Sequence, residues 1–355
     1  MAKGVLAFSF LTVVAVFSYG AQESQKQPDL RDSPVIKVSA ELVNFPVTVS
    51  GRKGLGKGNF MVAETISGQR EFKVQVIEWA EPTDRLPLRG GIVIDTSGST
   101  AWPGQFRDQK TIAANLVEFI FRSLLKENRG DRIFMAEFNY ENHHARTGDS
   151  VLQMRTGWSS DQQELTKALL DLKPGGFTPL LGSIEQSSRK FLEEAGGNFS
   201  TFLIVISDGY EQRPETYQPN GMALRKAFSD FRSAIASAQL AHLSVYTIGT
   251  FNRVQAANNK EGLNRANKNL ADIAGLTGGR FYYYPELTKI PAIVAQIKND
   301  LENRYYISYK PDPNYKNGED IKIRVEAGEY DEYGRWKRWP NVKLLHREGY
   351  KVIKD

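Results

Sequence analysis

Gly90-Gly91-Ile92-Val93-Ile94-Asp95-Thr96-Ser97-Gly98-Ser99-Thr100 is the stretch from which the fold is read. A glycine pair leads into a short, uniformly apolar run, the mark of a strand buried on both faces of a parallel sheet. The run ends on Asp95, and Ser97 and Ser99 follow at alternate positions. Open α/β sheets place their ligand sites beyond the carboxyl ends of the strands. One carboxylate and two hydroxyls are therefore expected to converge there, and these are hard oxygen donors of the kind Mg2+ prefers.

Working outward, the period after Ser99 becomes helical, with Ile112, Leu116, Val117, Phe119, Ile120 and Leu124 on one wide apolar face. Residues 133–138 read as the next strand, followed by a polar loop carrying His143 and His144 and an edge strand near residues 151–154. Asp161 is placed to cap a short helix through Leu170. Gly175-Gly176-Phe177-Thr178-Pro179 turns into a helix with Leu181, Ile184 and Phe191 inward. Residues 202–206 form a second uniformly apolar strand, ending on Ser207-Asp208-Gly209. Leu224, Phe228, Phe231 and Ile235 mark a helix, residues 245–249 a strand, and residues 252–267 a long asparagine-rich loop. A helix over residues 270–274, a strand over 281–284 and a helix opened by Pro291 complete the pattern. This βα alternation predicts an α/β domain over residues 89–300 with a doubly wound, mostly parallel, Rossmann-like sheet.

The flanks are different. Residues 35–49, 60–64 and 72–79 before the α/β domain are β-rich, as are 305–309, 321–325 and 342–345 after it. Neither set alone makes a comfortable sheet sandwich. We expect them to pair into one small β-sandwich, its halves being residues 35–88 and 301–355, with the α/β domain inserted between them.

The first 20 residues carry Lys3 and then an apolar run over residues 5–17, which reads as a secretory signal peptide. Residues 21–34 are polar and read as a flexible leader. There is no cysteine, so neither a disulfide framework nor a lipid-anchored cysteine is expected. No second segment is long and apolar enough to span a membrane after signal cleavage. The product is expected to be periplasmic or secreted. A net charge of +5 without any block of like charges gives no nucleic-acid footprint. The sequence leaves the oligomeric state open.

Two distant stretches add to the first loop. Thr178 puts a hydroxyl in a loop before a helix, and Asp208 puts a second carboxylate at the end of another buried strand. The set Asp95-Thr96-Ser97-Gly98-Ser99, Thr178 and Asp208-Gly209 resembles the metal-ion-dependent adhesion site of von Willebrand factor type A domains. More closely, the chain resembles the bacterial secreted VWFA-related family first defined in acidobacteria. The flanking marks of that family are Leu42-Val43-Asn44-Phe45-Pro46-Val47-Thr48-Val49, Thr277-Gly278-Gly279-Arg280-Phe281, Tyr306-Ile307-Ser308-Tyr309 and Arg347-Glu348-Gly349-Tyr350. The resemblance implies a metal site of Asp95, Ser97, Ser99, Thr178 and Asp208. The hydroxyls would bind Mg2+ directly, Thr178 in one state, and the carboxylates largely through water. Mn2+ and Ca2+ are alternative ions. It further implies a coordination position filled by an Asp or Glu of a protein partner. Pro179 after Thr178, and Trp102-Pro103 after the first loop, depart from that family's usual residues.

The same residues read poorly as an enzyme. An aspartate nucleophile of a phosphoryl-transfer hydrolase needs a second acid two residues on, where this chain has Ser97. A serine nucleophile needs a histidine base, and His143, His144, His242 and His346 are not placed to supply one. We therefore expect a non-enzymatic binding module. A metal-independent structural or assembly protein of the cell envelope is the alternative, and a metal-dependent hydrolase a distant third. Loops on the expected metal face tend to carry specificity, which makes Glu211, Asn252, Asn258 and Asn259 weaker candidates for partner contacts.

Overall fold

The computed structural model describes residues 43–66, 71–74, 76–80, 86–101, 104–140, 151–194, 199–212, 230–251, 259–283, 286–347 and 349–352. These belong to one compact unit within Ser33–Asp355. The expected signal peptide and leader, Trp102-Pro103, His143, His144, Asn252 and Asn258 lie outside the described residues.

In chain order the first strands are β1 (Val43–Ser50), β2 (Phe60–Ile66), β3 (Phe72–Val74), β4 (Val76–Ala80) and β5 (Leu88–Asp95). Helix α1 (Gln105–Ser123), β6 (Arg132–Phe138), β7 (Leu152–Met154), α2 (Gln162–Ala168), α3 (Leu180–Glu193) and β8 (Ser200–Ser207) follow. Next come α4 (Phe231–Leu240), β9 (Ser244–Gly249), α5 (Lys260–Thr277), β10 (Phe281–Tyr283) and α6 (Ile290–Glu302). The chain closes with β11 (Arg304–Tyr309), β12 (Asp320–Tyr330), β13 (Trp336–Arg338), β14 (Lys343–His346) and β15 (Gly349–Lys351).

The central sheet has the order β10-β9-β8-β5-β6-β7. Every pairing in it is parallel except that of the edge strand β7. All eight residues of β5 are buried, because β6 and β8 pair with it on either side and helices cover both faces. Period-two alternation sends Ile92 and Ile94 to a core shared with α1 and α6, and Val93 to a core shared with α3, α4 and α5. Gly90 and Gly91 are required by packing, since a Cβ on either would collide with the ring of Phe202 or Phe134. The chain runs from β5 to β6 on one side and later to β8 on the other. That reversal puts a topological switch point at the carboxyl end of β5, where such sheets hold ligands.

Two further sheets, β14-β1-β11-β4 and β13-β12-β2-β3 with β15 on β12, are antiparallel throughout. They share one core, in which Phe45, Val47 and Tyr305 meet Phe60, Val62, Ile321 and Ile323. Strands from both ends of the chain pair directly, β1 with β11 and β2 with β12. Glu64 is buried at the middle of this core and accepts hydrogen bonds from the hydroxyls of Tyr309, Tyr315 and Tyr350, at 2.6, 2.7 and 2.6 Å.

Two expectations are corrected. Residues 72–79 do not form one strand: β3 pairs with β2 in one sheet and β4 with β11 in the other. The asparagine-rich stretch is a helix from Lys260 onward. Asn259 caps it through a 2.8 Å bond from the Gly262 N–H, and Leu263, Ala266, Leu270 and Ile273 supply its apolar stripe. The tyrosines of β10 serve the α/β domain: Tyr282 packs on the core beneath α1 and α6, and Tyr283 stacks on Phe251.

Candidate metal centre

Asp95 is the last residue of β5, and Asp208 follows the last residue of β8. The register of these neighbouring strands sets Ile94 opposite Ile206, so Asp95 leaves the sheet beside Ser207 and Asp208 follows one residue on. Asp95, Ser97, Thr178 and Asp208 are fully buried, and Ser99 is half-buried.

Backbone hydrogen bonds stitch the three loops together. The first loop turns back on its own aspartate: the Ser97 N–H and Oγ both donate to Asp95 Oδ1, at 2.9 and 2.5 Å. It then closes as a 3-10 turn over Gly98–Ala101. The Gly98 N–H donates to Gly176 O at 2.8 Å and the Gly175 N–H to Thr96 O at 2.7 Å, which joins the first loop to the second. Thr178 and Gln212 exchange two bonds of 3.1 Å, joining the second loop to the third. Gly209 adopts φ +79°, and a Cβ there would strike the Ala266 carbonyl of α5, so only glycine fits between Asp208 and that helix.

The side chains converge accordingly. Thr178 Oγ1 donates to Ser97 Oγ at 2.8 Å, and Ser97 Oγ lies 3.1 Å from Ser99 Oγ. Ser207 Oγ donates to Asp95 Oδ2 at 2.6 Å and accepts the Gly209 N–H at 3.0 Å. Asp208 Oδ1 accepts the Tyr210 N–H at 3.2 Å, whereas its Oδ2 is buried without a partner. Burial pushes the Asp95 carboxyl above the usual range, against the bonds from Ser207 and Ser97. Asp208 is pushed up to about 7, by burial first and the charge of Asp95 second, while Ser99 and Gln105 pull the other way.

Two carboxyls buried together disfavour ionisation unless positive charge arrives. Among the described residues, their hydrogen bonds come from hydroxyls and backbone amides. The donor chemistry suits a small, hard divalent cation. Octahedral Mg2+ with bonds of 2.0–2.1 Å sets adjacent ligand oxygens about 2.9 Å apart. Ser97 Oγ lies 2.5 Å from Asp95 Oδ1, 2.8 Å from Thr178 Oγ1 and 3.1 Å from Ser99 Oγ. The unpartnered Asp208 Oδ2 supplies the buried acceptor such an ion would satisfy. Asp95, Ser97, Ser99, Thr178 and Asp208 could thus hold a metal. Among the described residues no three His, Cys, Asp or Glu side chains cluster about a point, so the candidate centre relies on hydroxyls for the rest of its donors.

Glu211 and Asn259 line one depression of about 390 Å³ with Tyr210, Arg265 and Asn269. Both already have local work: the Glu211 carboxylate accepts the Leu181 N–H of α3, and Asn259 caps α5. Of the histidines that are described, His242 lies before β9 at the amino end of the sheet and His346 in the sandwich, away from the serines. Two residues at the centre escaped sequence reasoning, Ser207 and Gln105. For Ser207 the signal was a hydroxyl at the end of an otherwise apolar strand. For Gln105 it was a polar residue on the helical stripe that continues through Gln109, Ile112 and Leu116.

A family profile described as the von Willebrand factor type A domain matches residues 91–296, more than half of the 355-residue chain. The chain belongs to the von Willebrand factor type A (VWA) domain family. The match starts inside β5 and ends inside α6, so the family assignment rests on the α/β domain. A comparison with curated proteins finds no match. Among solved structures, the chain is similar to the vWF domain of the type V pili tip protein Mfa5 from Porphyromonas gingivalis. Identity there is 15%, with 60% of this chain and 94% of that one covered and a TM-score of 0.42. It is similar to manganese-loaded Plasmodium vivax TRAP protein at 13% identity, covering 76% and 96% of the two chains, with a TM-score of 0.42. It is also similar to proximal thread matrix protein 1 from the mussel byssus at 14% identity, covering 62% of this chain, with a TM-score of 0.42. The chain spans about half (49%) of that protein's length.

Proposed function

We propose that this VWA protein is an exported, non-enzymatic binding module whose metal site takes up a carboxylate of a protein partner. The observation that carries the reading is the cluster of hard oxygens from Asp95, Ser97, Ser99 and Thr178, with the unpartnered Asp208 oxygen beside it. Mg2+ is the favoured ion, Mn2+ is compatible, and Ca2+ fits less well because its bonds of 2.3–2.6 Å want a wider oxygen cluster. When bound, the ion would supply positive charge for an Asp or Glu side chain of the partner. The chain's own residues hold the candidate ligand oxygens in register through the bonds that join the three loops. Glu211 and Asn259, which line one depression, and Asn252 and Asn258 in the same stretch of sequence as Asn259 are proposed to touch the partner.

The proposal extends to the remainder of the chain. Residues 1–20 are read as a signal peptide, 21–34 as a leader, and the product as periplasmic or secreted, within the acidobacterial type of secreted VWFA-related protein. Among the described residues no helix is long and apolar enough to cross a membrane. Residues 35–88 and 301–355 are read as the two halves of a sandwich interrupted by the domain at 89–300.

One observation favours the metal-independent assembly reading: the hydroxyls of Ser97, Ser99 and Thr178 already bond to one another as a closed turn cluster. Calorimetry separates the two. Mg2+ is expected to bind the wild type with measurable heat and to raise its melting temperature, both reversed by EDTA and absent in Asp95→Ala. No heat and no thermal shift in the wild type would remove the metal reading and leave assembly. Turnover of generic esters or phosphate esters, lost in Asp95→Ala, would instead promote the hydrolase reading.

A further inference from the structure

We infer that Gln105 is a positioning residue of this centre, fixing the Asp208 carboxylate and setting which ion the site prefers. The inference rests on the metal reading above. Gln105 is the first residue of α1 and is 3% exposed, yet neither its amide nitrogen nor its amide oxygen has a hydrogen-bond partner. Asp208 Oδ2 is likewise buried and unpartnered. Gln105 stands at the start of α1, just beyond the Gly98–Ala101 turn of the first loop. One helical turn on, Gln109 donates from Nε2 to Thr250 Oγ1 at 2.7 Å, and the Thr250 N–H bonds to Ser207 O at 2.9 Å. That chain of bonds fixes the register of α1 against the end of β8, with Gln105 one helical turn nearer the ligand loops, at the sheet edge that carries Asp208.

Packing alone does not account for a glutamine here. It occupies the helical stripe continued by Ile112 and Leu116, where leucine would fill similar space without burying an amide. A buried polar group left unmet calls for an explanation in function. Residues that orient a ligating carboxylate from behind are worth roughly 10- to 100-fold in metal affinity. The neutrality of the amide matters as well. Two carboxylates balance a divalent cation, whereas a third at position 105 would give the centre a net negative charge and repel an incoming carboxylate. More carboxylate oxygens also suit Ca2+, which takes 6–8 oxygen ligands, better than Mg2+.

The test titrates Mg2+ and Ca2+ separately into wild type, Gln105→Leu and Gln105→Glu, and melts each protein with and without chelator. Gln105→Leu is expected to lose about 10- to 100-fold in Mg2+ affinity while its metal-free melting temperature holds or rises. A residue that only packs would lower both together. Gln105→Glu is expected to move the Ca2+-to-Mg2+ affinity ratio toward Ca2+ by about tenfold or more, as an added oxygen ligand favours the larger ion. Mg2+ affinity in Gln105→Leu within about threefold of wild type, or a metal-free melting temperature that falls in step with affinity, overturns the inference. Absence of ion binding in the wild type removes the metal reading, and this inference with it. Wild-type binding that survives Gln105→Leu removes the inference alone.

Discussion

Asp208 is held between two ways of being neutralised, a proton or a cation. In the folded chain burial and Asp95 keep its proton on up to about pH 7, against an ordinary value of 3.8 once the chain unfolds. Between those values the unfolded state releases a proton that the folded state retains, so metal-free stability falls as pH rises and levels off above about 7. Melting in EDTA is therefore expected to show a lower transition temperature at pH 8 than at pH 5. Asp208→Asn should flatten that dependence, and saturating Mg2+ should restore stability most at the high-pH end. A wild-type melting temperature that rises across this interval in EDTA would contradict the burial of the pair. The convergence of the candidate ligand residues was legible in the sequence because each sits directly after a uniformly apolar strand or in a glycine-marked turn, where position follows from local chemistry. Gln105 was not, because a glutamine on the first turn of a helix reads as solvated until the partner loops are placed around it.

Strands and helices show the same division between local and distant causes. β5 and β8 could be read directly, since burial on both faces leaves an unbroken apolar run. The start of α5 could not, because its polar first turns hide a stripe that begins only at Leu263 and depends on the Asn259 cap. Nor could the change of sheet between β3 and β4, since alternation is the same in either sheet and the partner of β4, β11, lies more than two hundred residues away. Glu64 on β2 is the residue that fixes this long-range pairing, through phenols on β11, on β15 and at Tyr315. Each such bond contributes about 1 kcal/mol net, and each buried hydroxyl left unmet costs about 1–3 kcal/mol. Glu64→Ala is expected to lower unfolding free energy by at least about 3 kcal/mol, as read by urea titration, with Glu64→Gln intermediate. Mg2+ affinity of the folded Glu64→Ala protein should stay within about threefold of wild type, because Glu64 lies in the sandwich core, away from the metal centre. A destabilisation below about 1 kcal/mol would mean that the three phenols find other partners.

The molecule as a whole has its candidate metal centre at one end of the central sheet and its sandwich at the other. α6 passes into β11 through Asn303 alone, and the first residue of β11, Arg304, is fully buried. Its guanidinium donates to Thr201 O at 2.9 Å and Ser244 Oγ at 3.0 Å, at the amino ends of β8 and β9. Asp300, buried at the end of α6, accepts two bonds from Arg280 at 2.7 and 2.9 Å, and its carbonyl accepts the Thr48 hydroxyl of β1 at 3.1 Å. The Val49 N–H bonds to Asn303 O at 3.0 Å. Sandwich and α/β domain are thus joined at this seam by buried polar contacts, and should melt as one cooperative unit. An ion that binds only the α/β domain would then stabilise the entire chain, by about 4 kcal/mol at a thousandfold excess over Kd. Arg304→Ala removes the anchor while leaving the metal centre untouched. In scanning calorimetry the wild type is expected to give a single transition that Mg2+ moves as a whole. Arg304→Ala is expected to give two, of which Mg2+ moves only one. If the variant still melts in one transition that Mg2+ moves entire, the remaining contacts of Asp300, Thr48 and Val49 suffice to couple the two parts. If the wild type already shows two transitions, the sandwich folds independently of the domain inserted in it, and expression of residues 90–300 alone should give a product that folds and binds Mg2+ with wild-type affinity.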